Sequence, residues 1–233
     1  KKTDPLVAAI TTPSSIGVKS VMMNMGQLKT DGIEVTLKVS PIYRPQDRFV
    51  WNISLNGTHA KSKYSKIGNR LQSMNEQNQA NLNTTRYYDG GSPTDIWAVR
   101  SAGIDPATGQ DLFIKKDGTY TFTYDKNDEV VVGNTEPKLE GVLGTTLYYK
   151  GLSFGCYLRY RLGGQVFNNA LYEKVENIDR EGINYNQDKR ALYDRWSTPG
   201  QEAKFKRISL FQTTETSSRF VMDENTPAVY CQP

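Results

Sequence analysis

Leu152 to Leu162 alternates without a break: Leu152, Phe154, Cys156, Leu158, Tyr160 and Leu162 fall on one parity, Ser153, Gly155, Tyr157, Arg159 and Arg161 on the other. Successive strand side chains point to opposite faces, so this segment reads as a β-strand with one greasy and one wet face. Val142–Tyr149 precedes it across Lys150-Gly151, and two strands joined by so tight a turn form a hairpin. Ile33–Val39 alternates in the same way, and Arg48–Asn56 repeats the pattern with Phe49, Trp51, Ile53 and Leu55 on one parity. Between them Pro41–Asp47, with two prolines and charged residues, reads as a turn. Val18–Leu28 is a weaker strand, interrupted by Gly26.

The chain is therefore expected to be all-β and antiparallel. On alternation alone, the arginine-bearing face of Leu152–Leu162 fits the wet side of a soluble sandwich or the hydrated lumen of a large barrel. The connections move the reading toward the barrel. Lys61–Arg100 is long, polar and able to hold a short helix around Lys66–Asn78, and Gly163–Ser217 is longer, with a helix-like patch near Gln187–Trp196. Loops of that length are uncommon in compact domains, whereas short turns alternating with long loops are the habit of outer-membrane barrels. The 14 tyrosines and 19 glycines suit many short strands joined by turns. No run of about eighteen apolar residues exists for a transmembrane helix, and strands of alternating polarity escape that criterion.

Other function classes find little support. The 29 basic and 25 acidic residues are dispersed, and the densest basic group, Lys204, Lys206 and Arg207, is small, so nucleic acid is not an expected partner. Cys156 and Cys231 are too few for a disulfide framework. His59 is the only histidine, which leaves no convincing histidine metal site or catalytic triad around it. Asp105–Asp111 falls short of a calcium loop because Ala107 stands at a ligand position. Asp125–Glu129 reads as a hairpin apex after Tyr120–Tyr124. No pair among the acids is singled out for glycosidase chemistry, so neither enzyme activity nor a cofactor is expected.

Ordered motifs carry a more specific reading. Val132-Gly133-Asn134-Thr135-Glu136-Pro137-Lys138 leads to Gly141, then to Tyr149-Lys150-Gly151-Leu152-Ser153 and to Gly163-Gly164. Upstream lie Asn24-Met25-Gly26-Gln27-Leu28, Asp31-Gly32-Ile33-Glu34-Val35 and Ala102-Gly103-Ile104-Asp105-Pro106-Ala107-Thr108-Gly109. Downstream lie Arg195-Trp196-Ser197-Thr198-Pro199-Gly200 and Ser217-Ser218-Arg219-Phe220-Val221. In this order the motifs resemble the C-terminal barrel region of the SusC/RagA-type TonB-dependent transporters of Bacteroidetes outer membranes. The resemblance runs from about Val18 to about Asn225, with Asp31 where the family usually has Asn. After Asn225 the family's final strand, with its closing aromatic residue, is not matched by Thr226–Pro233.

The resemblance implies that residues 1–233 are a C-terminal portion of a barrel of about 22 strands with a plugged lumen. The chain begins at Lys1, and the plug and TonB box are expected upstream of it. Such transporters sit in the cell outer membrane and import oligosaccharides or peptides, driven through TonB and lidded by a SusD-like surface lipoprotein. The apolar face then meets outer-membrane lipid, and the loops face the vestibule where a glycan or peptide arrives. Aromatic rings stack on sugar C–H faces while guanidinium groups take hydroxyls, so the candidate ligand contacts are Tyr87, Tyr88, Trp97 and Arg100 in one loop region and Arg195 and Trp196 in another. Trp97 and Trp196 also fit a plainer role as anchors that hold the loops down. The alternative to the transporter is a soluble cell-surface β-sandwich module that binds glycans.

Overall fold

An extended segment cannot satisfy its backbone groups within itself, and the chain supplies its strands with neighbours in sequence order. The computed structural model describes residues 1–11, 15, 17–80, 85–178, 180, 182–185, 188–209, 214–224 and 228–232. Its principal element is a six-stranded antiparallel sheet of β1 (Lys2–Thr11), β2 (Ser20–Arg44), β3 (Phe49–Ser65), β8 (Leu139–Tyr149), β9 (Leu152–Leu162) and β12 (Ala228–Gln232), in that spatial order. Between β3 and β8 the chain leaves this wall to form α1 (Gln72–Ala80) and a four-stranded sheet. That sheet has the order β6 (Tyr120–Thr121), β5 (Asp111–Ile114), β4 (Asp95–Ile104) and β7 (Glu129–Asn134). Between β9 and β12, β10 (Gly164–Phe167) pairs with β11 (Val221–Glu224) around a segment of short helical turns.

The β8–β9 hairpin forms as its sequence dictates. Leu147 faces Phe154, Leu143 faces Leu158 and Leu139 faces Leu162, so the apolar residues of both strands share a side. The turn residues Lys150 and Gly151 take φ values of 47° and 98°, the two successive positive angles of a type I′ turn, whose twist matches the strands.

Two expected strands are one. Val18–Leu28 and Ile33–Val39 fuse into β2, because Gly26 is not a break: it lies in register with Leu6 while Met25 is the extra residue of a bulge. The turn expected over Pro41–Asp47 is confined to its second half. The strand runs on to Arg44 through a second bulge at Ser40-Pro41, where proline's missing N–H leaves no ladder bond unmade. β3 reaches Ser65, well into the segment expected to be loop. After Asn225 the chain does form a strand, β12, paired with β9 from Ala228 to Gln232.

The helix expected over Lys66–Asn78 begins only at Gln72. Lys66 and Gly68 take positive φ, and the Asp89 carboxylate accepts hydrogen bonds from the Ile67 and Gly68 N–H groups, holding them in a turn. In the patch Gln187–Trp196, Gln187 lies outside the described residues. From Asp188 onward there is only a 3-10 turn, Lys189–Leu192, capped by Asp188 and stopped near Asp194, whose φ is 54°. Asp125–Glu129 is no hairpin apex: Lys126–Asp128 is a 3-10 turn on the path from β6, at one edge of the four-stranded sheet, to β7 at the other.

Burial separates wall from loops. Ile33, Val35, Leu37, Val39, Leu55, Leu143, Leu152 and Phe154 of the wall are all exposed, Ile33 to 69% and Leu152 to 76%. The two buried clusters lie elsewhere. Met25, Tyr64, Ile67 and Leu71 pack with Leu6, Leu28 and Tyr87 where the loop sits on the wall. Leu171, Val175, Ile178, Ala191, Phe205 and Phe220 form the heart of the segment between β10 and β11. Among the described residues no second sheet covers the apolar face, as a sandwich would require.

Candidate functional site

The register that gathers the apolar residues gathers the polar ones behind them. Glu34, Thr36 and Lys38 of β2, Asn52, Ser54, Asn56 and Thr58 of β3, Glu140 and Thr146 of β8, and Ser153, Tyr157, Arg159 and Arg161 of β9 share the opposite side. Asn56 donates to both Glu34 Oε1 and Thr36 Oγ1, at 3.0 and 3.1 Å. Two glycines give this wall its close fit. Gly144 lies under the ring of Tyr157 on the polar side. Gly141 makes room on the apolar side for Tyr160, whose hydroxyl donates to the Asn56 carbonyl at 2.8 Å. A large ring over a strand glycine restores the packing that the missing side chain forgoes.

Arg161 ties wall to loops. Its guanidinium donates to the Thr135 carbonyl at 2.9 Å and meets Glu224 of β11 at 3.1 Å. Thr58, Thr94, Thr135, Glu136, Glu140 and Arg161 line a recess of about 240 Å³ on this polar side. Across Glu136-Pro137, where β3 and β8 diverge, a second cleft of about 410 Å³ has His59, Lys61, Lys138 and Gln165 in its lining.

The expected ligand residues occupy structural posts in the loops. Tyr88 and Trp97 meet edge to face at 5.3 Å, and Tyr88 donates to Asp95 at 3.3 Å. Burial and the neighbouring Asp95 carboxylate push the Tyr88 phenol above its usual pKa. Tyr87 packs on Tyr64 at 5.5 Å, and its backbone is held at both ends by the Asn75 side chain. Arg100 donates to the carbonyls of Lys115 and Lys116 across the β4–β5 hairpin. These four residues share one loop region, as the sequence implied, but only Tyr88 among them is exposed.

Arg195 is half-buried, donating to the carbonyls of Ala191, Val175 and Lys206 and lying 5.9 Å from the Phe205 ring. Trp196 lies against Gly109 and donates to the Pro106 carbonyl at 2.8 Å, clamping the Asp105–Gly109 turn. In that turn the Asp105 carboxylate accepts from the Thr108 N–H and hydroxyl, which holds it below the usual carboxylate pKa.

A buried ion cluster escaped the sequence reading. Arg219 meets Asp111 of β5 and Glu176 at 3.1 Å each, and Lys206 reaches Asp111 at 3.0 Å. The carboxylate side chains are 2% and 0% exposed. A second buried pair, Arg86 and Glu129 at 2.5 Å, pins the segment before β4 to the start of β7. The two partners of each ion pair lie 43 or more positions apart, so the pairing leaves no local signal in the sequence.

Comparisons with known proteins fit this architecture. No family model matches the chain. Two receptors of Formosa agariphila do: TonB-dependent receptor P3 is 26% identical over 242 aligned positions, covering 95% of this chain and 23% of the receptor. TonB-dependent receptor P26 is 27% identical over 184, covering 72% of this chain and 18% of the receptor. In fold the chain is similar to part of the RagAB peptide transporter, with a TM-score of 0.72 and 22% identity, over 94% of this chain and 24% of that one. The RagAB peptide importer in its open-open state gives a TM-score of 0.70 at 22% identity, over 96% and 24%. The chain thus spans about a quarter or less of the proteins it matches. In its ordered motifs, its two receptor relatives and its fold, the chain is similar to a stretch of a SusC/RagA-type TonB-dependent receptor.

Proposed function

We propose that residues 1–233 are a C-terminal portion of an outer-membrane TonB-dependent transporter, forming part of the barrel wall and the outer loops above it. The observation that carries this reading is the six-stranded sheet, apolar and uncovered on one side and polar on the other. In water such a face is a liability, and in a bilayer it is the required surface. The short turns Pro45–Arg48 and Lys150-Gly151 lie at the periplasmic end, and the loop sheet and helical turns at the outer end.

In this reading the whole receptor imports oligosaccharides or peptides, takes energy from TonB through a region outside this chain, and works with a SusD-like lipoprotein. The naming of RagAB as a peptide importer supports the peptide alternative, and the exposed Tyr88 ring and the polar wall suit either cargo. The chain performs no catalysis. Tyr88 and Arg159 are exposed and are the residues from these sets best placed to touch cargo. Trp97, Arg100, Arg195 and Trp196 act through the shape of the loops.

Energised uptake by cells carrying the intact receptor tests the proposal. Uptake of labelled oligosaccharide or peptide should require both the receptor and TonB, and Tyr88→Ala should lower it while the barrel stays folded. Uptake that is indifferent to loss of the receptor or of TonB would refute the transporter reading.

A further inference from the structure

The parity that faces lipid changes character above the apolar belt. On β2 that side reads Ile42, then Val39, Leu37, Val35 and Ile33, and then Asp31 and Lys29. Nine steps at about 3.3 Å, tilted by about 40°, give the belt a height of about 23 Å, close to the hydrocarbon band of an outer-membrane barrel. On β3 the same side runs from Phe49 to Leu55 and Gly57 and then to His59, Lys61 and Lys63. Lys63 stands directly opposite Lys29, Lys61 opposite Asp31, and His59 opposite Ile33. The lysines therefore lie within about 10 Å above the belt, at headgroup level.

Lys138 joins them from the next strand connection. Its stem lies across Gly163, where a Cβ would come within 2.9 Å of Lys138 Cδ, and its carbonyl bonds the His59 imidazole at 2.7 Å. Lys61, Lys138 and His59 line the cleft of about 410 Å³ together with the carboxylates of Glu136 and Asp223. Asp31 is engaged by Lys1 at 3.6 Å, Glu136 accepts from the Ser62 N–H at 3.4 Å, and Asp223 accepts from Gln165 at 3.1 Å. Among the described residues none of Lys29, Lys61, Lys63 and Lys138 is in an ion pair, and all four are exposed.

We infer that this basic rim, with the cleft behind it, holds the phosphate headgroup of an anionic lipid in the outer leaflet. Exposed ammonium groups at headgroup depth attract anionic lipid, and here they continue directly from a face that meets the acyl chains. The inference rests on the reading of that face as lipid-facing.

The test uses the intact receptor in nanodiscs of phosphatidylcholine mixed with phosphatidylglycerol, with retained lipid read by native mass spectrometry after partial delipidation. The receptor should retain phosphatidylglycerol preferentially. The variant Lys29→Gln/Lys61→Gln/Lys63→Gln/Lys138→Gln should lose that preference by roughly tenfold or more. A control with Lys115, Lys116, Lys174 and Lys189 changed to Gln should keep it. Equal retention of the two lipids, or an undiminished preference in the rim variant, overturns the inference. Displacement of phosphatidylglycerol by inorganic phosphate at matched ionic strength would overturn the lipid as the source in favour of a free anion. Failure to enter discs of phosphatidylcholine alone would instead sink the underlying reading of the wall.

Discussion

Arg219 is the residue whose loss the structure translates most directly into a number. Its guanidinium is shared by two carboxylates, Asp111 at 3.1 Å and Glu176 at 3.1 and 3.2 Å, in a site where all three side chains are largely shielded from water. Cutting back Arg219 to Ala strands negative charge in the interior, and breaking a buried pair from one side costs about 3–5 kcal/mol. Asp111 would keep Lys206 at 3.0 Å, whereas Glu176 would keep only the Thr214 hydroxyl at 3.4 Å and the Lys206 N–H at 3.3 Å. The lower end, about 3 kcal/mol, is therefore expected, or on the order of a hundredfold in the local opening equilibrium. Hydrogen exchange on the intact receptor reads this directly. Amides around Val175, Phe205 and Phe220 should lose protection in Arg219→Ala, those of β8 and β9 should not, and Arg219→Lys should lie between. Unchanged exchange in Arg219→Ala would refute the claim that the cluster holds the β5, Glu176 and β11 segments together.

Three further outcomes follow from the same coordinates. Leu143→Arg, in the middle of the apolar belt, should destabilise the refolded receptor in lipid by about 2–4 kcal/mol in urea titrations, whereas Thr146→Arg on the other face should cost little. Gly144→Val should cost about 1–3 kcal/mol and displace Tyr157, because a Cβ there comes within 2.7 Å of Ser54 Oγ and 2.9 Å of the Tyr157 ring; an unchanged midpoint would contradict that packing. The Asp188 carboxylate is held down to a pKa of about 2 by its bonds to the Arg190 side chain and backbone. Because its folded pKa lies below the unfolded value near 3.8, its stabilisation is complete above about pH 4 and fades as the pH falls toward about 2. Relative to its intrinsic exchange rate, the Arg190 amide should accordingly be less protected at pH 2 than at pH 5.

The wall was legible in sequence because an apolar face backed by a polar one leaves a period of two, and Leu152–Leu162 and the Lys150-Gly151 turn are found as read. The fusion of Val18–Leu28 with Ile33–Val39 was hidden. A bulge at Met25 and the close approach of Gly26 to Ile67 look, in sequence, like a break. The loops were poorly legible for a different reason. Their order comes from contacts between distant residues, such as Arg219 with Asp111 or Asp89 with Ile67, which leave no period behind. Trp97 and Trp196 illustrate the consequence. Sequence leaves each open as a ligand contact or a loop anchor, and the structure shows each in a loop contact.

The central claim is that one face of the wall meets lipid and the other water, and a nitroxide scan of β9 tests it most directly. With Cys156 and Cys231 replaced by Ser, single labels from 152 to 162 would be placed one by one in the intact receptor in bilayers. Collision rates with oxygen and with a water-soluble nickel chelate would then be compared. Labels at 152, 154, 156, 158, 160 and 162 should favour oxygen, and those at 153, 155, 157, 159 and 161 the chelate, in strict alternation. Chelate access as high at the even positions as at the odd ones would mean that the apolar face meets water, and the account of this chain as barrel wall would be wrong.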